Sequence, residues 1–207
     1  MRSVIDTSYL TIMTEALATP QQDELVIKDV DFSKFPSIDD ADDVKYSMYF
    51  KANSTMDMII PRLYLSDDIA ARNKKILDEN KITHILNLTT NIPNKYDSIL
   101  VYKKLIILDF ESQNIRQYFE EAFEFIDEAL RNEKNSVLVH CNAGVSRSAS
   151  FVIAYLMQKQ IFKTYKSAYN HVKGCRSVIS PNKGFERQLI NLENKLKRKN
   201  KKMCNIM

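Results

Sequence analysis

From Met58 onward the apolar positions recur first with the period of a strand, then with that of a helix, and the changes of period mark out the elements. "MIIPRLYL" (58–65) predicts two short paired strands with Pro61 at the break between them, since proline cannot donate to a sheet ladder. "SDDIAARNKKILDEN" (66–80) predicts a helix that opens on Ser66 as its cap, with acids in the first turn. "ITHILNLT" (82–89) and "YKKLIIL" (102–108) are apolar runs of strand length. In "NIRQYFEEAFEFIDEALRNEK" (114–134), Ile115, Tyr118, Phe119, Ala122, Phe123, Ile126, Ala129 and Leu130 fall on one face of an amphipathic helix. "SVLVH" (136–140) is apolar without alternation, as a strand buried on both faces should be. "SFVIAYLM" (150–157) is apolar all round and predicts a helix packed on several sides. Two more helices follow, one over Tyr165 to Lys173 and a last one carrying Phe185, Leu189, Leu192 and Leu196. Strands alternating with helices predict an α/β fold: a mainly parallel central sheet flanked by helices on both faces.

The first 56 residues follow neither period. They hold two prolines and an acidic cluster over 23–43, and read as a flexible acidic extension with one short helix near Ser8 to Ala18. The chain therefore divides into an extension (1–56), a folded domain (57–195) and a basic tail (196–207). Of the 207 residues 44% are hydrophobic and 27% charged, and no apolar run approaches the ~18 residues of a membrane span. Asp6 and Glu15 interrupt any signal-peptide core, and residue 2 is not the glycine that myristoylation needs. Cys141, Cys175 and Cys204 are too few and too scattered for a disulfide framework, so a reducing cytoplasmic compartment is expected. His84, His140 and His171 lack metal-ligand spacing, so neither a metal nor another cofactor is expected. The net charge of +4 conceals six basic residues and no acid in "KLKRKNKK" (195–202). This run is either a solvated terminal helix or a patch for an anionic surface. Without interleaved aromatics it does not suggest nucleic acid.

The chemistry concentrates in "VLVHCNAGVSRSAS" (137–150). A buried strand ends at His140 and a helix starts near Ser146, so the intervening loop lies at the carboxyl end of a central strand, where open α/β sheets bind ligands. The unpaired N–H groups and dipole of a helix N-terminus favour an anion. Gly144, one of only three glycines, lets the backbone curl so that successive N–H groups face one centre, a nest for a tetrahedral oxyanion. The candidate phosphate-binding residues are thus Asn142, Ala143, Gly144, Val145, Ser146 and Arg147. Cys141 sits at the rim as candidate nucleophile, in surroundings that favour a thiolate. Arg147 offers a planar fork for two phosphate oxygens, and Ser148 is placed to hydrogen-bond the sulfur and ease its departure.

The stretch "HCNAGVSRS" (140–148) resembles the signature loop of cysteine-dependent dual-specificity protein phosphatases. The resemblance runs over about residues 57–195, through "IIPRLYLSDDIAA", "KITHILNLT", "LDF", "AYLM" and "SPNKGFERQL", and looks most like an atypical member linked to stress-activated kinase pathways. One departure is Ser66, where the family usually has glycine. The resemblance implies hydrolysis of phosphotyrosine and phosphoserine or phosphothreonine through a phosphocysteine intermediate. It further implies Asp109 as general acid, with Glu111 a nearby rival, Asn182 as a brace of the signature loop, and His140 as support for the cysteine's environment. The implied partners are phosphoprotein substrates and kinases of a MAP kinase pathway. The loop residues Asn142, Ala143, Val145 and Ser146 are uncharged, whereas phosphoinositide-directed relatives tend to carry lysines there, so phosphoprotein is favoured. No segment resembles the aromatic loop that deepens tyrosine-only sites, which leaves a shallow site. Two other readings stay open: a scaffold of a kinase pathway with little turnover, and a phosphatase of a non-protein phosphate.

The chain closes on "CNIM" (204–207), a Cys-a-a-X pattern suited to farnesyl transfer to Cys204, with the basic run as second membrane signal. The alternative is a fortuitous tail. The expected location is cytoplasmic, with attachment to the inner leaflet through a prenyl group.

Overall fold

The structure is a computed structural model that describes residues 54–204. Strand β1 (Met56–Ile60) turns through Pro61 and Arg62 into β2 (Leu63–Ser66), and Arg62 takes the left-handed backbone (φ 68°) that the tight reversal demands. The Arg62 guanidinium donates to the carbonyls of Leu130, Asn132 and Asn135, tying this turn to the end of a helix far along the chain. Strands β3 (His84–Asn87), β4 (Val101–Lys104) and β5 (Val137–His140) complete one sheet in the order β1-β2-β5-β3-β4. Only β1 and β2 pair antiparallel; the other three pairings are parallel, giving a mixed, mainly parallel sheet.

β5 is the central strand, and each of its residues is buried. Strand geometry sends Val137 and Val139 to one face and Leu138 to the other. The first face packs on α3 (Phe119–Leu130), α4 (Arg147–Gln158), α5 (Tyr165–Cys175) and α6 (Lys183–Cys204). On the opposite face Leu138 and Ile85 meet Ala71, Leu77 and Ile82, around the short helices α1 (Asp68–Ala71) and α2 (Lys74–Glu79). Helix α4 is buried from Arg147 to Met157, which accounts for its apolar circumference. Phe119 meets Phe151 edge-on at 5.3 Å, joining α3 to α4; burying each such ring contributes about 1.5–3 kcal/mol. The register pairs Ser66 and Asn87 with His140, so three strands end together where the signature loop departs.

Several boundaries differ from the expectations. Asp67, not Ser66, caps α1: its carboxylate accepts the Ala70 N–H at 2.8 Å, while Ser66 remains in β2 beside His140. The helix expected over 66–80 is two helices, because the Asn73 side chain accepts from the N–H groups of Lys75 and Ile76 and starts a second one. β4 stops at Lys104, since its partner β3 ends at Asn87; the N–H of Leu105 still donates to the Asn87 carbonyl at 2.9 Å. The amphipathic segment begins with a 3-10 turn (Arg116–Tyr118) before α3. The whole basic run (195–202) belongs to α6, and residues 197–201 are exposed along it. No helix among the described residues is long and apolar enough to cross a membrane. The short helix near Ser8, the acidic cluster and the last three residues of the "CNIM" pattern lie outside the described residues.

Candidate active site

Between β5 and α4 the loop 141–146 turns its carbonyls outward. Asn142 O accepts from the Asp68 N–H (2.9 Å), Val145 O from the Ser180 N–H (2.9 Å), Gly144 O from Arg176 Nε (2.9 Å) and Ala143 O from Arg176 Nη2 (3.2 Å). In a trans peptide the N–H points opposite to the C=O. The N–H groups of Ala143, Gly144, Val145 and Ser146 therefore face the interior of the loop, the arrangement of an anion nest. Gly144 has φ 66°, and a Cβ there would lie 2.6 Å from the carbonyl oxygen of Ser66 and 2.8 Å from Arg176 Nη2. A side chain is excluded by both backbone conformation and space.

Arg176 is 4% exposed and is the hub of this scaffold. Besides its two loop carbonyls it donates from Nη1 to Asp57 Oδ2 (2.7 Å) and to the carbonyl and hydroxyl of Thr55 (3.2 Å each). Its Nη2 lies 3.6 Å from the buried Asp67 Oδ2, an oxygen that has no hydrogen-bond partner of its own. Arg176 and Asp57 stand in no local pattern of the sequence, and Asp67 reads there only as a first-turn acid of the helix expected over 66–80. Only the fold brings the three under the loop.

Cys141 is buried at the loop's start, with Sγ 3.3 Å from the Ser148 hydroxyl. Arg147 opens α4; its Nη1 donates to the Ile107 carbonyl (3.3 Å), and its buried Nε has no hydrogen-bond partner although Asp109 Oδ2 is 3.5 Å away. That spacing is within ion-pair reach but not a hydrogen bond. Asp109 Oδ1 accepts from the Ser146 hydroxyl (2.6 Å) and from Asn182 Nδ2 (2.8 Å), leaving Oδ2 as the less engaged oxygen. The Asn182 N–H donates to Ser146 Oγ (3.2 Å), and its side-chain oxygen accepts the Phe185 N–H (2.9 Å) at the start of α6. Asn182 thus touches the signature loop through its backbone and the Asp109 carboxylate through its side chain. Glu111 lies elsewhere, paired with Arg187 at 2.8 Å on the surface. His140 is buried beneath the loop, its Nδ1 3.3 Å from the Cys141 carbonyl; burial, opposed by that contact, pulls the imidazole down to about 4, so it is neutral near pH 7.

Cys141, Asp109, Arg147 and the loop line one cavity of about 450 Å³, with Leu108 and Phe110 at its rim. Both rim side chains are exposed, Phe110 by 63%. Among the described residues no group of three or more His, Cys, Asp or Glu side chains could hold a metal ion. A buried thiol, an inward ring of amides, a guanidinium and a carboxylate in one cavity can bind a tetrahedral oxyanion and move a proton beside it.

Residues 63–195 match the family described as the dual specificity phosphatase catalytic domain, and the chain belongs to that family. It is 47% identical over 131 residues to "Protein phosphatase Slingshot homolog" of Xenopus laevis, a match covering 63% of this chain and 19% of that protein. It is 41% identical over 150 residues to "Dual specificity protein phosphatase 1" of Arabidopsis thaliana, covering 72% of this chain and 75% of that one. Its fold is similar to the crystal structure of the human tyrosine phosphatase-like serine/threonine/tyrosine-interacting protein, with TM-score 0.62 and 36% identity over 67% of this chain and 95% of that one. The region shared with the Xenopus relative is thus a fifth of that protein's length, whereas most of the Arabidopsis relative is shared.

Proposed function

We propose that this chain is a dual-specificity protein phosphatase that hydrolyses phosphotyrosine and phosphoserine or phosphothreonine through a phosphocysteine. The observation that carries the reading is the convergence of Cys141, Arg147, Asp109 and the inward amides of Ala143 to Ser146 on one cavity. The amides and Arg147 hold the three non-bridging phosphate oxygens. Cys141 attacks phosphorus as the thiolate; the S–P bond forms as the P–O bond to the substrate breaks. Asp109 Oδ2, the oxygen not occupied by Ser146 and Asn182, gives its proton to the departing oxygen. Asp109 then takes a proton from water as that water attacks phosphorus. The sulfur leaves as thiolate with Ser148 Oγ beside it, and inorganic phosphate is released.

The exposed apolar rim of Leu108 and Phe110 and the uncharged loop side chains suit a polypeptide substrate better than a polyanionic lipid headgroup. Kinases of a MAP kinase pathway are the proposed partners, on family resemblance. The exposed basic stretch of α6 supports attachment to an anionic cytoplasmic leaflet, at up to about 1 kcal/mol per basic residue near the surface, with prenylation of Cys204 as the second anchor. Mass spectrometry finding Cys204 unmodified in native cells would remove that anchor.

The test is phosphate release from a peptide carrying both phosphothreonine and phosphotyrosine, without added metal. Wild type is expected to release both, Cys141→Ser neither, and Asp109→Asn to be slower by ~10²- to 10⁴-fold. Equal rates for wild type and Cys141→Ser would instead favour a scaffold role.

A further inference from the structure

The segment that carries Asp109 has little structure of its own. After Leu105 it makes no further sheet pairing, and Ile106, Leu108 and Phe110 all point to solvent. Ser146 Oγ donates to Asp109 Oδ1 (2.6 Å) and Arg147 Nη1 to the Ile107 carbonyl (3.3 Å) from the loop side. From Asp109 onward the segment is held by the first turns of α6 and the residue before them, through four contacts. Asn182 Nδ2 donates to Asp109 Oδ1 at 2.8 Å. Gly184 presses on the backbone of Glu111 so closely that a Cβ would fall 1.9 Å from the Glu111 carbonyl oxygen. Arg187 pairs with the Glu111 carboxylate at 2.8 Å. One turn on, Gln188 uses both ends of its amide: Nε2 donates to the Gln113 carbonyl (2.8 Å) and Oε1 accepts the Ile115 N–H (2.9 Å). Ile115 is fully buried, so Gln188 fixes the far end of the segment where it enters the core.

We propose that Gln188 and Gly184 are positioning residues for the general acid: α6 clamps residues 109–115 and thereby sets the distance from Asp109 Oδ2 to the leaving oxygen. The inference rests on the reading of Asp109 as general acid. The Gln188 amide is matched in both donor and acceptor, so its orientation is dictated by its partners and a shorter side chain cannot replace it. Gly184 has no substitute, because any side chain would drive the helix and the acid segment apart. Proton transfer in the transition state tolerates little displacement, and an error of about 1 Å costs on the order of 10²-fold.

A misplaced acid penalises poor leaving groups and spares good ones, which separates positioning from a general loss of structure. The experiment compares kcat/KM for phenyl phosphate, a poor leaving group, with that for a strongly activated aryl phosphate, and measures competitive inhibition by inorganic phosphate. Gln188→Ala is expected to lower the phenyl phosphate value about tenfold and the activated one less than about threefold, with inhibition by phosphate unchanged. In the Asp109→Asn background Gln188→Ala should add no further loss. Gly184→Ala, where it folds, should show the same selective loss. Equal losses on both substrates, no loss on either, or full additivity with Asp109→Asn would overturn the proposal. If Asp109→Asn itself showed no dependence on leaving group, the reading of Asp109 would fall, and the clamp with it. That result is distinct from a selective Asp109→Asn accompanied by an indifferent Gln188→Ala, which overturns the clamp alone.

Discussion

The two loops that make the site are held by opposite means. The carbonyls of residues 142 to 145 in the phosphate loop are all bonded outward, and the loop rests on Arg176, itself buried against Asp57 and Asp67. The acid segment lies at the sheet edge, exposes Leu108 and Phe110, and is held by the Ser146 hydroxyl and by side chains reaching across from the start of α6. The difference fits the tasks proposed for them. An anion nest works only if its dipoles are fixed before the ligand arrives, and the protein locks it with buried charge. A proton donor must stand at the mouth of the cavity, where substrates of different size pass, and can be fixed only by contacts that remain partly in water.

The largest effect that would break this contrast is expected at Arg176. Arg176→Ala releases two loop carbonyls and leaves Asp67, 1% exposed in its side chain, and Asp57 facing an empty site. Removing one partner of a buried ion pair costs about 3–5 kcal/mol. Urea unfolding of Arg176→Ala should show a loss of that size, and Arg176→Lys should recover part of it, since an ammonium restores charge but not the fork. A loss below about 1 kcal/mol would mean that the phosphate loop holds its shape without the brace.

A slightly smaller effect is expected from pH, again on the phosphate-loop side. Burial lowers the His140 pKa from 6.5 to about 4, and the positive charges of Arg72, Arg147 and Lys104 act in the same direction. The unfolded chain therefore binds a proton between these two values that the folded chain does not. Stability from this group is complete above pH 6.5 and is lost as pH falls through the window to about 4, up to about 3 kcal/mol in all. Unfolding free energies measured across that window should fall steeply for wild type and less steeply for His140→Asn, whatever the absolute stability of the variant. Parallel profiles would show that His140 is not buried neutral.

The same division decides what could be read from the sequence. The phosphate loop was legible because cysteine, glycine and arginine fall within nine consecutive residues between a strand and a helix. The face of α3 was legible because a period of 3.6 is local. Asp109 entered only through resemblance: Glu111 is two residues away, and what separates them is that Asp109 lines the cavity while Glu111 turns to Arg187. Asp67 takes the capping role expected of Ser66 because the end of β2 is set by the pairing of Ser66 with His140, which no local pattern states. Arg176 was illegible, since its partners stand 32 residues away at Gly144 and 119 away at Asp57.

The smallest effect expected is at the most visible contact of the acid segment. Arg187 and Glu111 are 65% and 56% exposed in their side chains, and a pair so open to water and salt is worth about 0–1 kcal/mol. Arg187→Ala should therefore leave unfolding within about 0.5 kcal/mol of wild type and barely alter the ratio of rates on poor and good leaving groups. The comparison with Gln188→Ala sharpens the clamp: both residues reach the same segment from adjacent positions, but only Gln188 makes two bonds to its backbone beside a fully buried residue. If Arg187→Ala lost as much selectivity as Gln188→Ala, the acid segment would be held by surface charge, and its activity should then fall with rising salt over the range in which exposed ion pairs are screened.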